Sequence, residues 1–210
     1  MEKLVQISDR LNKIVTFVGR VGSVAIIPLI IVTMWDVVTR KFTTFQLWVI
    51  DLLGDQLEST VLQEWEWHFH TALFASALGY GYVMNSHVRV DVIRERLPIR
   101  KQAWIEWIGV TIAMIPYCCV LIWFSWDFAY KSFIQNEISY SLVGLSNRWV
   151  IKGILFLGFV FALLAGISVW LRKTAYLFGP PGLNVPLLTV QEPITERVVI
   201  ASSDEQAEGR

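Results

Sequence analysis

The sequence predicts an all-α integral membrane protein with four transmembrane helices, both termini cytoplasmic, and an amphipathic interfacial helix between spans one and two. Three observations carry this expectation. Charged residues make up only 17% of the 210-residue chain, 18 basic against 18 acidic, where soluble domains average about 25%. The uncharged runs between those charges are long enough to cross a bilayer. Nine of the ten tryptophans stand at the ends of these runs, where indole prefers the membrane–water interface. This composition excludes a soluble globular protein. Zero net charge and the lack of a basic stripe exclude a nucleic-acid binder. The two cysteines, Cys118 and Cys119, are adjacent in an apolar run and build no disulfide scaffold.

About 20 apolar residues at 1.5 Å each cross a hydrocarbon core of roughly 30 Å. The first candidate, residues 21–35, has only 15 uncharged residues between Arg20 and Asp36. It spans if a flanking charge snorkels or if residues 14–19 join it, which places span one at about 14–38. Ahead of it, Leu4, Ile7, Leu11, Ile14, Val15 and Val18 form a three-and-four-residue stripe. Two readings stay open: a helix lying on the cytoplasmic surface, or the extension of one long tilted helix. Phe45, Trp48, Val49, Leu52, Leu53 and Leu57 repeat the stripe and predict the interfacial helix at about 44–58. Asp51, Asp55 and Glu58 make a fifth span there too expensive. Residues 67–88, 107–126 and 153–171 are uncharged runs of 22, 20 and 19 residues. They predict spans at about 64–88, 104–127 and 149–172. Pro28 and Pro116 predict kinks inside spans one and three. Lys and Arg in the flanks number 11 on the side of the termini and the middle connection, and 5 on the other; this sets the orientation.

Residues 1–178 therefore read as one four-helix membrane domain. The cluster Gly179-Pro180-Pro181-Gly182 opens a flexible cytoplasmic tail over 179–210. The first apolar run starts late and no small-x-small site follows it, so no cleavable signal peptide is expected.

Chemistry is sparse. His68, His70 and His87 all belong to one helix, and His68 and His87 lie about 28 Å apart along it. That arrangement suits interfacial histidines bonded to Glu64 and Glu66 better than haem or metal, and no cofactor is expected in this chain. No nucleophile, base and acid share one depth, so no catalytic residues are expected and the chain is not read as an enzyme. Mid-span charges, the usual mark of a solute path, are missing. The polar groups gather at span ends instead. Asp36 and Arg40 close span one. Glu64, Trp65, Glu66, Trp67 and His68 open span two; His87, Arg89 and Asp91 follow it. Glu137 precedes Arg148 and Trp149 at span four. These residues either anchor the helices among headgroups or form a docking surface for another membrane protein. Small residues of span four, Gly153, Gly158, Ala162, Ala165 and Gly166, permit close helix contact.

On these residues the chain resembles the small permease subunit of tripartite ATP-independent periplasmic (TRAP) transporters, over about residues 10–175. The motifs are Gln63-Glu64-Trp65-Glu66-Trp67-His68, Asp36 with Arg40, Glu137-Ile138-Ser139 and, most specifically, His87-Val88-Arg89-Val90-Asp91-Val92. The resemblance implies a four-span, multi-pass subunit of the bacterial inner membrane. Its partners would be a large permease subunit, which holds the substrate and sodium sites and moves as an elevator, and a periplasmic solute-binding protein. The solute would be an organic acid or another carboxylate compound. The small subunit would dock on and widen the static scaffold, a role that suits a bundle anchored by tryptophan, with its cytoplasmic arginines on anionic lipid. The competing readings are a haem-carrying membrane anchor of a redox complex and a self-contained small transporter.

Overall fold

The computed structural model describes residues 1–54, 57–87, 97–141, 144–180 and 185–187. Among the described residues every regular element is a helix. The chain opens with α1 (Glu2–Ser23) and α2 (Ile26–Lys41). They form one 40-residue unit broken at Val24 and Ala25. The break has a covalent cause. Pro28 has no N–H for the carbonyl of Val24, four residues back, and its ring crowds that carbonyl. The Val24 oxygen accepts from Ile27 instead, at 3.1 Å. A short α3 (Thr43–Leu53) follows directly and stops at Gly54, whose φ of +90° suits a residue without a side chain. Then come α4 (Ser59–Val83), α5 (Ile99–Gly109), a π-turn (Val110–Met114), α6 (Ile115–Ile134) and α7 (Trp149–Phe178). The π-turn lies just ahead of Pro116 and absorbs the backbone bond that proline cannot make.

Three of these units are long and apolar enough to cross a membrane: Glu2–Lys41, Ile99–Ile134 and Trp149–Phe178. The 25 residues of α4 reach about 37 Å. Its first half carries Glu64, Glu66, His68 and His70, which keeps it less apolar than the others.

The packing centres on α4 and α7, which run in the same direction. Gly158 lies against Ala75, and Gly79 against the Phe161 carbonyl. The α1–α2 unit crosses α4 in the opposite sense, with Gly19 on Tyr80 and Gly22 on Ser76. Val15, Val83 and Ala165 close the core between α1, α4 and α7. On the far side of α7, the α5–α6 unit runs antiparallel: Met114 meets Gly166, Trp126 meets Phe156 and Phe133 meets Trp149. Of the two readings of the N-terminal stripe, this is the second. The segment is part of a long helix, and the face it buries carries Ser8, Val15 and Gly19, while Ile7 and Ile14 of the stripe are exposed. Ser8 is fully buried and exchanges hydrogen bonds with Ser168, hydroxyl to carbonyl in both directions at 2.8 and 2.9 Å.

Two further sequence expectations change. Arg172 and Lys173 count as flanking charges in the sequence, but α7 continues past them to Phe178 and both are buried. Arg172 pairs with Asp9 and donates to the Ser8 hydroxyl and the Pro186 carbonyl. Lys173 stands 3.1 Å from Glu106. The charges therefore do not all stop at the span ends; at the terminus-bearing end some are drawn inside and neutralised by partners. The Pro186 bond and the buried Val185 also tie residues 185–187 to the bundle. Residues 181–184 and 188–210 of the expected tail lie outside the described residues.

Trp107 and Trp170 are not simply interfacial anchors. Trp107 Nε1 donates to Thr174 at 2.9 Å, and Thr174 donates to the Trp170 carbonyl at 2.8 Å. Trp170 Nε1 donates to Thr111 at 2.8 Å, and Thr111 donates to the Trp107 carbonyl at 2.7 Å. This closed ring of four bonds joins α5 to α7 under two indoles stacked at 6.1 Å. Thr174→Val removes two of the bonds at nearly constant volume. It is expected to destabilise the protein by about 1–2 kcal/mol and to shift the tryptophan emission. Unchanged emission and stability would show the ring to be incidental.

Candidate functional site: the polar rim at the Asp36 end

The end of the bundle opposite the termini gathers most of the polar residues singled out in the sequence. Asp36, on the last turns of α2, is only 3% exposed. Its carboxylate accepts a two-pronged contact from Arg40, one turn on, and a 2.5 Å bond from Ser59 at the start of α4. With the Gln63 amide turned so that its oxygen faces Arg40, that oxygen accepts from Nη1 at 3.1 Å. One acid thus ties the end of α2 to the start of α4, across the α3 excursion.

A second knot lies one turn along α4. Glu64 accepts from the Ser139 hydroxyl and from the Leu145 main-chain N–H at 2.6 Å, which fastens the α6–α7 connection onto α4. His68 donates Nδ1–H to the Glu64 main-chain carbonyl at 2.7 Å, not to its carboxylate. The connection turns at Asn136 and Asn147, at φ of 45° and 61°, where asparagine is better tolerated than most residues. Glu137 pairs with Lys152, whose ammonium also sits 3.8 Å above the Phe128 ring. Ser139, Leu145 and Arg148 border the same connection, and the Arg148 N–H donates to the Glu137 carbonyl at 3.3 Å.

The Lys152 bond holds the Glu137 carboxyl below its usual value of 4.5. A carboxylate with a depressed folded-state pKa stabilises fully above its ordinary pKa and loses that contribution as pH falls through the folded one. The 135–148 connection is therefore expected to loosen in acid, below about pH 4.5. Amide exchange at Arg148 should accelerate there in the wild type and show no such acid-dependent step in Glu137→Gln. An identical acid response in that variant would assign the effect to another group.

Nine of the sequence-selected residues fall into two groups. Asp36, Arg40, Glu64, Glu137 and Arg148 are engaged within the chain. Trp65, Glu66, Trp67 and Trp149 face partly outward, although Trp65 stacks on Phe69 and Trp149 meets Phe133 edge-on. His87 lies at the other end of α4, with Nε2 at 3.2 Å from the Leu78 carbonyl. Arg89 and Asp91 lie outside the described residues. Ser59 and Lys152, which help complete the two knots, carried no motif in the sequence, because a lone serine or lysine at a span end has no pattern; Ser139 stood in the Glu137-Ile138-Ser139 motif, but nothing there named Glu64 as its partner. Beside the second knot is a cavity of about 200 Å³ lined by Gln63, Glu64, Trp67, His68 and Arg148. Among the described residues no three His, Cys, Asp or Glu side chains gather as a metal site.

Long apolar helices closed at each end by internal charge pairs define a polytopic α-helical membrane protein. The family described as "Tripartite ATP-independent periplasmic transporters, DctQ component" matches residues 29–175, and the chain belongs to it. It is thus a small membrane subunit of a TRAP-type transporter. No curated protein and no solved structure matches the chain.

Proposed function

We propose that this subunit is a non-catalytic scaffold. It docks on the static part of a large elevator-type permease subunit and widens it. A periplasmic binding protein delivers the solute, a carboxylate compound, and sodium binds in the large subunit. In this reading α4 is the second of four spans in the bacterial inner membrane, and both termini are cytoplasmic. The observation that carries the reading is where the polar groups lie. The described ion pairs cluster toward the two ends, while the middle of the bundle is closed by small residues in contact, Gly158 on Ala75 and Gly79 on Phe161. A bundle closed this way at its middle resists deformation, and an elevator needs a partner that stays still.

Reconstitution tests it. Proteoliposomes holding the large subunit, loaded binding protein and a sodium gradient are expected to take up solute only when this subunit is present, while solute affinity of the free binding protein is unaffected. Uptake by the large subunit alone at the full rate would remove the scaffold role, and uptake by this chain alone would replace it with a transport role.

A further inference from the structure

The polar residues of α4 are not all treated alike. Glu64 and, across from it, Asp36 are tied into the protein. Glu66 and His70, one turn apart on another face of α4, make no hydrogen bond or ion pair among the described residues. They line an open groove of about 550 Å³ between α2 and α4, together with Leu29, Thr33, Trp67 and Thr71. His70 and Trp67 are exposed, Trp67 at 73%. Counted from Ser59, Glu66 lies about 10 Å and His70 about 16 Å along the helix. With Asp36, Ser59 and Glu64 at the rim, Glu66 stands at its inner edge and His70 about 9 Å beyond Glu64, inside the outer part of a hydrocarbon layer about 30 Å thick. Lipid tails offer such groups no hydrogen bonds, and ionisable residues at membrane depth normally face protein or a water-filled cavity.

We propose that the α2–α4 groove seats a transmembrane helix of the large permease subunit, and that Glu66 and His70 recognise hydrogen-bonding side chains on it. This rests on the scaffold reading above and adds the place of contact. The hydrogen-bonding need of Glu66 and His70 within the membrane selects a protein helix over lipid tails, and family membership makes the large subunit that protein. Glu66 calls for a donor such as Ser, Asn, Gln or a basic residue, and Thr33 and Thr71 extend the polar track along the groove wall. A second copy of this chain fits poorly. A two-fold axis along the membrane normal would bring each Glu66 to the same depth as its mate, setting carboxylate near carboxylate.

The test uses the intact transporter in native membranes, with a photo-crosslinking amino acid at Thr33 or Thr71, and at the exposed Trp123 of α6 as a control. The expected result is an adduct of this subunit with the large one from positions 33 and 71 and little from 123. Glu66→Leu with His70→Leu is expected to cut recovery of the large subunit about tenfold. Adducts only with lipid, adducts between two copies of this chain, or large-subunit adducts only from 123 would overturn the assignment. Should the leucine pair prevent folding, the crosslinks alone decide. If the wild type brings down no large subunit at all, the scaffold reading falls first, and this one with it.

Discussion

Gly158→Ala is expected to lower the melting temperature of the detergent-solubilised subunit by roughly 5 °C and to reduce its yield from membranes. A Cβ at Gly158 would lie 2.6 Å from the Ala75 Cβ and 2.9 Å from the Ala75 Cα and carbonyl oxygen. Two of those three atoms are backbone, so no rotamer change relieves the clash; α4 and α7 must separate. Overpacking of this kind costs about 1–3 kcal/mol, and a domain of this size loses about 2–4 °C per kcal/mol. Gly79→Ala should behave alike, because its Cβ would meet the Phe161 carbonyl oxygen at 2.7 Å. Gly153→Ala is the control with the opposite sign. Nothing lies within 4 Å of its added carbon, so the alanine should gain about 0.5–1 kcal/mol from helix propensity. Equal melting temperatures for the 158 and 153 variants would mean that α4 and α7 are not in the close contact on which the rigid middle depends.

That contact shows where the sequence was readable and where it stopped. The apolar runs located the helices, because hydropathy is a property of each segment by itself. Pro28 located the break at Val24, because a missing N–H acts at a fixed offset of four residues. The small residues of α7 announced a close approach without naming the partner, since a glycine is equally compatible with α1, α4 or another protein. The ends were harder. Arg172 and Lys173 look like ordinary cytoplasmic flank until α1 and α5 bring Asp9 and Glu106 beside them. Likewise the Glu64/His68 spacing suggests a carboxylate–imidazole pair. The carboxylate is instead taken by Ser139 and the Leu145 N–H, from a connection some 75 to 81 residues away in sequence. Spacing within a helix reports which groups share a face; it does not report which of them a distant loop will claim.

Asp36 and Arg40 are the one selected pair whose i,i+4 spacing did become an ion pair, and its removal carries the second large expected effect. The two partners are unequal: the Asp36 side chain is 4% exposed and that of Arg40 46%. Arg40→Met leaves a buried carboxylate with Ser59 as its principal donor. The expected loss is about 3 kcal/mol, the low end for breaking a buried pair because half of Arg40 is already in contact with the surroundings. Asp36→Asn should cost only about 1 kcal/mol, since the amide oxygen still accepts from Ser59 and the freed guanidinium can reach water or headgroups. The double variant Asp36→Asn with Arg40→Met should therefore be more stable than Arg40→Met alone. This inversion is the readout that a surface ion pair would not produce. Unfolding titrations of the four proteins in mixed micelles measure it. If Arg40→Met is no worse than Asp36→Asn, the buried acid does not depend on its arginine, and Ser59 alone must hold the end of α2 to α4. If the inversion appears, the α3 excursion is closed by a charge that cannot be left alone. Any force that α3 receives from a partner is then passed directly into α4, the helix that carries Glu66 and His70.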